Sequence, residues 1–491
     1  MRERIVSKLA ERNTVLTPEA WEYLDKFDEP CSIVENMIEI DNKLPFPLGR
    51  DTLQNFVEID KDKEVKEEVE EVKEKHDSDE KKLERPDLDN IKVLKDISGE
   101  STCTGVIDDF QNYFLDRYER LRLIISRRRE AKGIVDIGRV AKRSGRAKVI
   151  GMVGDVHNTS NGNKMLTLED PSGKIKAFIS SDSEAFEKNV LEDEVVLAEG
   201  RIWEKKQGYD TTFSIEKIVR PGIPKIKKRR NKKFEGKIAF IGDVHVGSDT
   251  FLKKEWNRFT KWMNSDDEVA QQIRYLVITG DLIDGIGIFP NQEEELEIID
   301  IYEQYRELAR MLSELPDDVL IITIPGNHDI VRNSEPQPKL PEDVQEMFPD
   351  NVVFYGNPCL LEIDGLKTLL YHGSSINDLS DLLPEVSNHR PITAMKEMMK
   401  RRHLVPVYGK KTSIAPEDKD YLLIEDIPDV FVTGHIHRTE VEDYHGTIMI
   451  NSSTWQSQTE YQKMRDIEPD PAKVMVLDPT ENQVSIQNFS S

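Results

Sequence analysis

Seven residues between positions 243 and 437 have the types and spacing to hold cations: Asp243, His245, Asp281, Asn327, His372, His435 and His437. They stand in five short motifs: Gly242-Asp243-Val244-His245, Gly280-Asp281-Leu282-Ile283-Asp284, Gly326-Asn327-His328-Asp329, Tyr371-His372-Gly373 and Gly434-His435-Ile436-His437. An aspartate and a histidine one residue apart can face one cation where a chain leaves its strand and turns. The diverging oxygens of a further carboxylate, Asp281, can bridge two cations. Asn327 adds a neutral amide oxygen, and His372, His435 and His437 add imidazole nitrogen. Such a mixed set suits manganese, iron or zinc better than calcium or magnesium. Two cations about 3.5–4 Å apart clamp a phosphate, polarise its phosphorus and acidify a shared water, so the chemistry implied is hydrolysis of a phosphoester.

Each motif follows an apolar run: Ile238 to Ile241, Tyr275 to Ile278, Val319 to Ile324, Thr368 to Leu370 and Val430 to Val432. Short apolar runs of this kind read as buried strands, which would place the ligands in loops at strand ends. The tetrapeptide Gly-Asp-Val-His also occurs at Gly154 to His157, but there it runs into Asn158-Thr159-Ser160-Asn161-Gly162-Asn163, a hairpin-turn signature. Asp155 and His157 are therefore read as ordinary loop residues. His76, His389, His403 and His445 lack ligand-like neighbours.

At 491 residues the chain exceeds one ordinary core. Residues 1–60 read as a small helical module, either a docking unit or simply a packed domain. Thr17-Pro18 fits an N-cap followed by proline, and Ser32 to Glu35 fits a capping box. Residues 61–100 read as a charged flexible linker, since Lys61 to Arg85 is almost wholly charged. Residues 101–134 hold an amphipathic helix with Phe110, Tyr113, Phe114, Tyr118 and Leu121 at spacings of three and four. Residues 135–223 show five strand-like runs with a short helix, Ser183 to Asn189, between the third and fourth, the order of an OB-fold barrel. Such barrels bind single strands or serve as protein interfaces. The basic stretch Lys225 to Lys233 reads as a solvated linker or a phosphate contact into residues 224–491. Arg390 and the run Lys400-Arg401-Arg402 read as a solvent-facing helix or as a DNA-backbone contact.

The three cysteines, Cys31, Cys103 and Cys359, show no paired spacing, which opposes a disulfide framework or thiolate zinc site. No run approaches the roughly 18 apolar residues of a membrane span, and the first residues lack a secretory apolar stretch. A soluble, cytoplasmic protein is expected. The net charge of −25 opposes general attraction to a polyanion.

The five motifs resemble, in order, the D-x-H, G-D-x-x-D, G-N-H-[DE], lone His and G-H-x-H blocks of calcineurin-like metallophosphoesterases. That resemblance implies a first metal held by Asp243, His245, Asp281 and His437, and a second held by Asp281, Asn327, His372 and His435. It implies that His328 is the general acid and that Asp329 orients it, while Asp284 is structural or supporting. The order of domains resembles the small subunits of archaeal family D DNA polymerases over nearly all of the chain. The fold implied is multidomain α+β: an OB-fold β-barrel, a calcineurin-like α/β metallophosphoesterase sandwich and a small helical N-terminal domain. The activity implied is a two-metal 3′→5′ proofreading exonuclease within a DNA-directed DNA polymerase. Its cofactors would be two divalent ions, Mn2+ first, with Fe2+ or Zn2+ as alternatives. Its partners would be a large catalytic subunit and DNA with single-stranded or mismatched 3′ ends, and no membrane. A phosphatase would use similar metals, but Asp284-Gly285 lacks the arginine that class carries there. A non-catalytic polymerase scaffold is the other alternative.

Overall fold

The computed structural model describes residues 85–140, 145–203, 212–225, 231, 233–464 and 467–490, and within the first 37 positions residues 5, 9, 14–26, 30, 34 and 37. The chain divides into two compact units, Met1–Lys82 and Leu83–Ser491.

In the first unit helix α1 (Pro18–Leu24) begins as its sequence predicts, with the Ala20 N–H donating to Thr17 Oγ1 at 3.2 Å and proline in the first turn. Ile5, Leu9, Ala20, Leu24, Val34 and Met37 are buried together. The capping box at Ser32, the remainder of the 1–60 module and residues 61–84 lie outside the described residues.

The second unit is multidomain α/β with several mixed sheets, consistent with a metallophosphoesterase-like domain. The linker expectation fails at its end: Ile91–Lys95 forms strand β1, antiparallel to Cys359–Ile363 and so built into a sheet. Ile91, Val93 and Leu94 make only a short apolar run beside the charged stretch, and pairing with Cys359–Ile363 turns it into a strand. Helix α2 (Ile107–Ser126) follows. Next come five strands of a closed barrel, β2 (Gly145–Asn158), β3 (Lys164–Asp170), β4 (Gly173–Ile179), β5 (Val195–Trp203) and β6 (Thr212–Val219), in spatial order β2-β3-β4-β6-β5. A 3₁₀ turn, Glu184–Lys188, lies between β4 and β5. Asp155 and His157 sit exposed on β2, 3.6 Å from each other and far from any cation-binding group of residues.

Two six-stranded sheets then stack face to face. One is built on β7 (Lys237–Ile241), β8 (Ile273–Thr279), β9 (Leu320–Ile324) and β10 (Val352–Phe354), all parallel, with β16 (Lys473–Asp478) and β17 (Gln483–Asn488) added antiparallel. The other runs β1, β11 (Cys359–Ile363), β12 (Leu366–Leu370), β13 (Val430–Thr433), β15 (Thr447–Asn451), β14 (Glu440–Tyr444). Strand alternation explains the layers: Ile238 and Phe240 point between the sheets toward Leu361, Leu370, Val430 and Val432. Ala239 and Ile241 point outward beneath α3 (Lys253–Met263) and α4 (Ile301–Ser313). Helices α5 (Ser375–Leu382) and α6 (Ile392–Arg401) cover the opposite face.

Helix α2 is the strap between barrel and sandwich. Its Tyr113 packs with α5 and α6, whereas Tyr118, Leu121 and Ile125 pack on the barrel. The basic run after α6 is neither solvated nor free for a phosphate. Arg401 is buried, with Nε 2.9 Å from Glu194 of the barrel, and Arg402 donates to the carbonyls of Gly222, Ile424 and Glu425. The sequence pattern of three basic residues gave no sign that their partners lie two hundred positions away. Arg390 stays exposed and pairs with Glu440 at 3.1 Å. Of the basic linker, residues 226–230 and 232 lie outside the described residues.

Arg117 of α2, His403 and Asp420 form a buried charged cluster in this seam. Arg117 Nε lies 2.8 Å from Asp420 Oδ2. The Val405 N–H donates to His403 Nδ1 at 3.0 Å, so the ring proton sits on Nε2 and is donated to Asp420 Oδ2 at 2.7 Å. Burial and the Arg117 guanidinium lower the His403 pKa from 6.5 to about 4. The unfolded chain therefore binds a proton between pH 6.5 and 4 that the folded chain refuses. The contribution is whole above that window and is lost as pH falls through it, by about 3 kcal/mol. Equilibrium denaturation from pH 8 down to about pH 4 should show this loss, and His403→Gln, with no titrating ring, should show a visibly shallower slope. Equal slopes in the two proteins would refute the assignment.

Candidate metal centre

All five motifs leave the sandwich at the carboxyl ends of β7, β8, β9, β12 and β13, which are neighbours within the two sheets. Each strand ends two or three residues before its ligand, so the side chains converge on one edge. The turns are sharp enough to force left-handed backbone at Asp243 (φ 50), His245 (φ 53), Asp281 (φ 47), His435 (φ 69) and His437 (φ 55). Residues with a Cβ seldom adopt this region, and each such residue costs on the order of 1–3 kcal/mol. Five such residues among seven candidate ligands show that the fold holds these donors against local preference.

The donors fall into three overlapping groups: Asp243 with His245 and His437, Asp281 with His372 and His435, and His245 with Asp281 and His328, of which the first two are taken in turn. In the first, His245 Nε2 and His437 Nε2 face each other at 3.0 Å, and His437 Nε2 is 3.5 Å from Asp243 Oδ1. In the second, His372 Nε2 is 3.0 Å from Asn327 Oδ1, 3.2 Å from Asp281 Oδ2 and 3.3 Å from His435 Nδ1. Asp281 Oδ2 also lies 3.7 Å from His245 Nε2, between the groups, as a bridging oxygen must.

Two rings have their tautomers set from outside. His245 Nδ1 is 3.0 Å from the Asp284 carboxylate, and His372 Nδ1 is 2.9 Å from the Thr279 carbonyl, both acceptors only. Each ring therefore donates from Nδ1 and turns Nε2 inward, toward the other candidate ligands. Lone pairs that meet there repel unless positive charge lies among them. Burial opposes charging His372, but Asp281 and Asp243 outweigh it and raise its pKa to about 10. Burial likewise opposes ionising Asp281, yet His372 and His328 hold it well below the usual carboxylate range. The pocket attracts positive charge, and its nitrogen and oxygen donors could hold metal ions.

His328 stands at the rim, partly open to solvent. Its N–H donates to Asp281 Oδ1 at 2.9 Å, and its Nδ1 lies 2.7 Å from the Asp284 carbonyl, which leaves Nε2 facing the cleft 4.0 Å from Asp281 Oδ2. Burial lowers its pKa less than Asp281 and Asp284 raise it, so the net shift is upward. Asp329 does not orient this ring, contrary to expectation. Its carboxyl accepts from Gly326 N–H at 2.8 Å, Leu282 N–H at 3.2 Å and Tyr305 Oη–H at 3.0 Å, tying two loops to α4. Burial and nearby Asp281 raise its pKa to about 7. The orienting group is the backbone of Asp284, whose carboxylate meanwhile backs His245 and is held by Gln292 and Gln456.

The cleft over these groups has a volume of about 790 Å³. Its walls include Ile288 and Phe289 on one side and Lys411 and Arg438 on others. Residues 238–442 match the family model for the B subunit of DNA polymerase alpha/epsilon. A DNA polymerase II small subunit of Methanocaldococcus jannaschii is 43% identical over 394 residues, covering 78% of this chain and 65% of that protein. One from Archaeoglobus fulgidus is 41% identical over 396 residues, with 79% of each chain covered. One from Methanothermobacter thermautotrophicus is 37% identical over 493 residues, covering 96% of this chain and 97% of the other. The chain belongs to the archaeal family D DNA polymerase small-subunit family.

Within this family member, the motif reading missed the residues that back the donors: Thr279, Gln292, Asn377, Gln456 and Gln462. Asp284, which also backs a donor, carried a signal as the last residue of its block. Glycine spacing carried one too. A Cβ on Gly434 would stand 2.5 Å from Asp243 Oδ2, and one on Gly326 would stand 2.2 Å from Asp281 Oδ1. Gly434→Ala should therefore displace Asp243 and weaken Mn2+ uptake by roughly tenfold or more, by the scale of disturbed ligand support. Isothermal titration of the folded variant checks this, and wild-type affinity would count against the close approach.

Proposed function

We propose that this small subunit is a two-metal 3′→5′ DNA exonuclease that proofreads for its polymerase while supporting the large subunit. The observation that carries the reading is the convergence of four imidazoles, two carboxylates and one amide on one edge of the sandwich. When bound, two divalent ions, Mn2+ first, supply Lewis-acid neutralisation of a phosphodiester and activation of the attacking water. The residues of the chain do the rest. Asp281 Oδ2 lies between the two donor groups and fixes their separation. His328, its ring aimed by the Asp284 carbonyl, turns Nε2 to the cleft as the proton donor for the leaving 3′ oxygen. Asp329 is kept as a structural tie rather than a catalytic residue.

The substrate class follows from the cleft and the family. At about 790 Å³ the cleft is roomy for a terminal nucleotide, and Ile288 with Phe289 offers apolar surface to a base. Unpaired or mismatched ends suit it because a paired end must first be splayed to enter. The strand order β2-β3-β4-β6-β5 with its intervening 3₁₀ turn supports an OB fold for the barrel. Together with the outer face of the sandwich, it is the surface we assign to the large catalytic subunit. None of the helices among the described residues is long and apolar enough to cross a membrane.

End-labelled DNA with a mismatched 3′ end should be degraded in Mn2+ by the wild-type chain and not by Asp281→Ala. His328→Ala should slow degradation by about 10²–10⁴-fold, the usual worth of a general acid, while Mn2+ uptake persists. Phosphate release from a small monoester without nucleotide release from DNA would overturn the reading in favour of a phosphatase.

A further inference from the structure

The four ligand imidazoles are not supported alike. His245 and His372 give their outward Nδ1–H to oxygens that can only accept, the Asp284 carboxylate and the Thr279 carbonyl. His435 is mounted the other way round. Its Nδ1 faces the second donor group, 3.3 Å from His372 Nε2, and its Nε2 points away to the side-chain amide of Asn377 on α5, at 2.9 Å. An amide can either donate or accept there. A donating NH2 would leave the ring proton on Nδ1, aimed into the centre where a lone pair is needed.

What lies behind Asn377 can follow either setting, and a cation's need for a lone pair on Nδ1 selects the accepting one. Asn377 Oδ1 meets Asn388 Nδ2 at 2.9 Å, and Asn388 Oδ1 is buried with no hydrogen-bond partner among the described residues. The oxygen and NH2 of an amide occupy nearly the same space, so a half-turn of both groups needs no movement of the backbone. After that turn Asn377 Oδ1 accepts the His435 Nε2–H and the Asn377 NH2 donates to Asn388 Oδ1, while the Asn388 NH2 gives up its acceptor. The Asn388 NH2 moves to the place that oxygen held.

We propose that Asn377 and Asn388 are a positioning pair for the second cation site, an amide relay that keeps the His435 proton on Nε2 and presents the Nδ1 lone pair to the ion. This rests on the two-cation reading and assigns neither residue a contact with substrate.

Mn2+ titration of the full chain, with metal content measured directly, tests the relay. Wild type should take up two equivalents. Asn377→Leu, of similar size but unable to accept, should keep the first and weaken the second about 10–100-fold at an unchanged melting temperature. Asn377→Asp, an acceptor only, should restore the second equivalent, which a purely structural role would not. Histidine 15N shifts of the metal-free Asn377→Asp chain should show the His435 proton on Nε2. Two wild-type-strength equivalents in Asn377→Leu, or loss of the second in both variants, would overturn the relay. Fewer than two equivalents in wild type would instead sink the two-cation reading, and the relay with it.

Discussion

Lone pairs of nitrogen and oxygen crowded within about 3 Å repel unless positive charge lies among them, and the whole sandwich is arranged around that constraint. His245 faces His437 at 3.0 Å and His372 faces Asn327 at 3.0 Å, with Asp284, Thr279 and the Gln462 amide fixing which nitrogen of each ring turns inward. A chain free to relax would separate these groups. This one holds them, with left-handed backbone at five donors and glycines where a Cβ would strike a carboxylate. The stabilising forces come from elsewhere: the dry layer between two sheets, and cross-loop bonds such as His435 N–H to Asp243 Oδ1 at 2.9 Å.

The same logic governs the supporting residues. Asp329, buried and neutralised in part by its upward shift to about 7, ties the second and third loops to Tyr305 of α4 instead of serving the reaction. Gln292 and Gln456 hold the Asp284 carboxylate, so that His245 keeps one tautomer. Buried polar groups of this kind are costly when unpaired and specific when satisfied. Strand ends therefore deliver the donors, and amides and carbonyls behind them decide which nitrogen faces inward.

How much of this could be seen in the sequence follows from the range of the interactions. The seven donors were legible because each is local to a strand end, and a buried parallel strand announces itself as an apolar run such as Tyr275 to Ile278. The barrel strands and helix α2 were legible by the same periodicity, and so were the Thr17 cap and the decoy at Asp155. Strand β1 was not, because Ile91–Lys95 has a strand's identity only once paired with β11. Arg401 and Arg402 read as surface charge, since nothing nearby in the chain reveals Glu194 or the Gly222 carbonyl. The role given to Asp329 failed because adjacency to His328 in sequence does not bring a carboxylate to its ring. A backbone carbonyl, Asp284 O, does that work and leaves no trace in residue type.

The charge of the chain gives the centre a further importance. A net charge of −25 repels DNA at long range, and the two basic side chains that line the cleft are already engaged. Lys411 pairs with Asp381 at 2.6 Å, and Arg438 donates to the Glu468 carbonyl at 2.7 Å. On the proposed reading, attraction for a phosphodiester must then come chiefly from the ions the seven donors hold, assisted by apolar contact with a base. Binding by such a cleft is short-ranged and selective for an end that can reach the centre. A surface that instead tracked the backbone with many lysines would hold duplex DNA indiscriminately. An acidic body with one cationic point is thus suited to an editing subunit, which should grip a frayed terminus and leave the paired duplex to its partner.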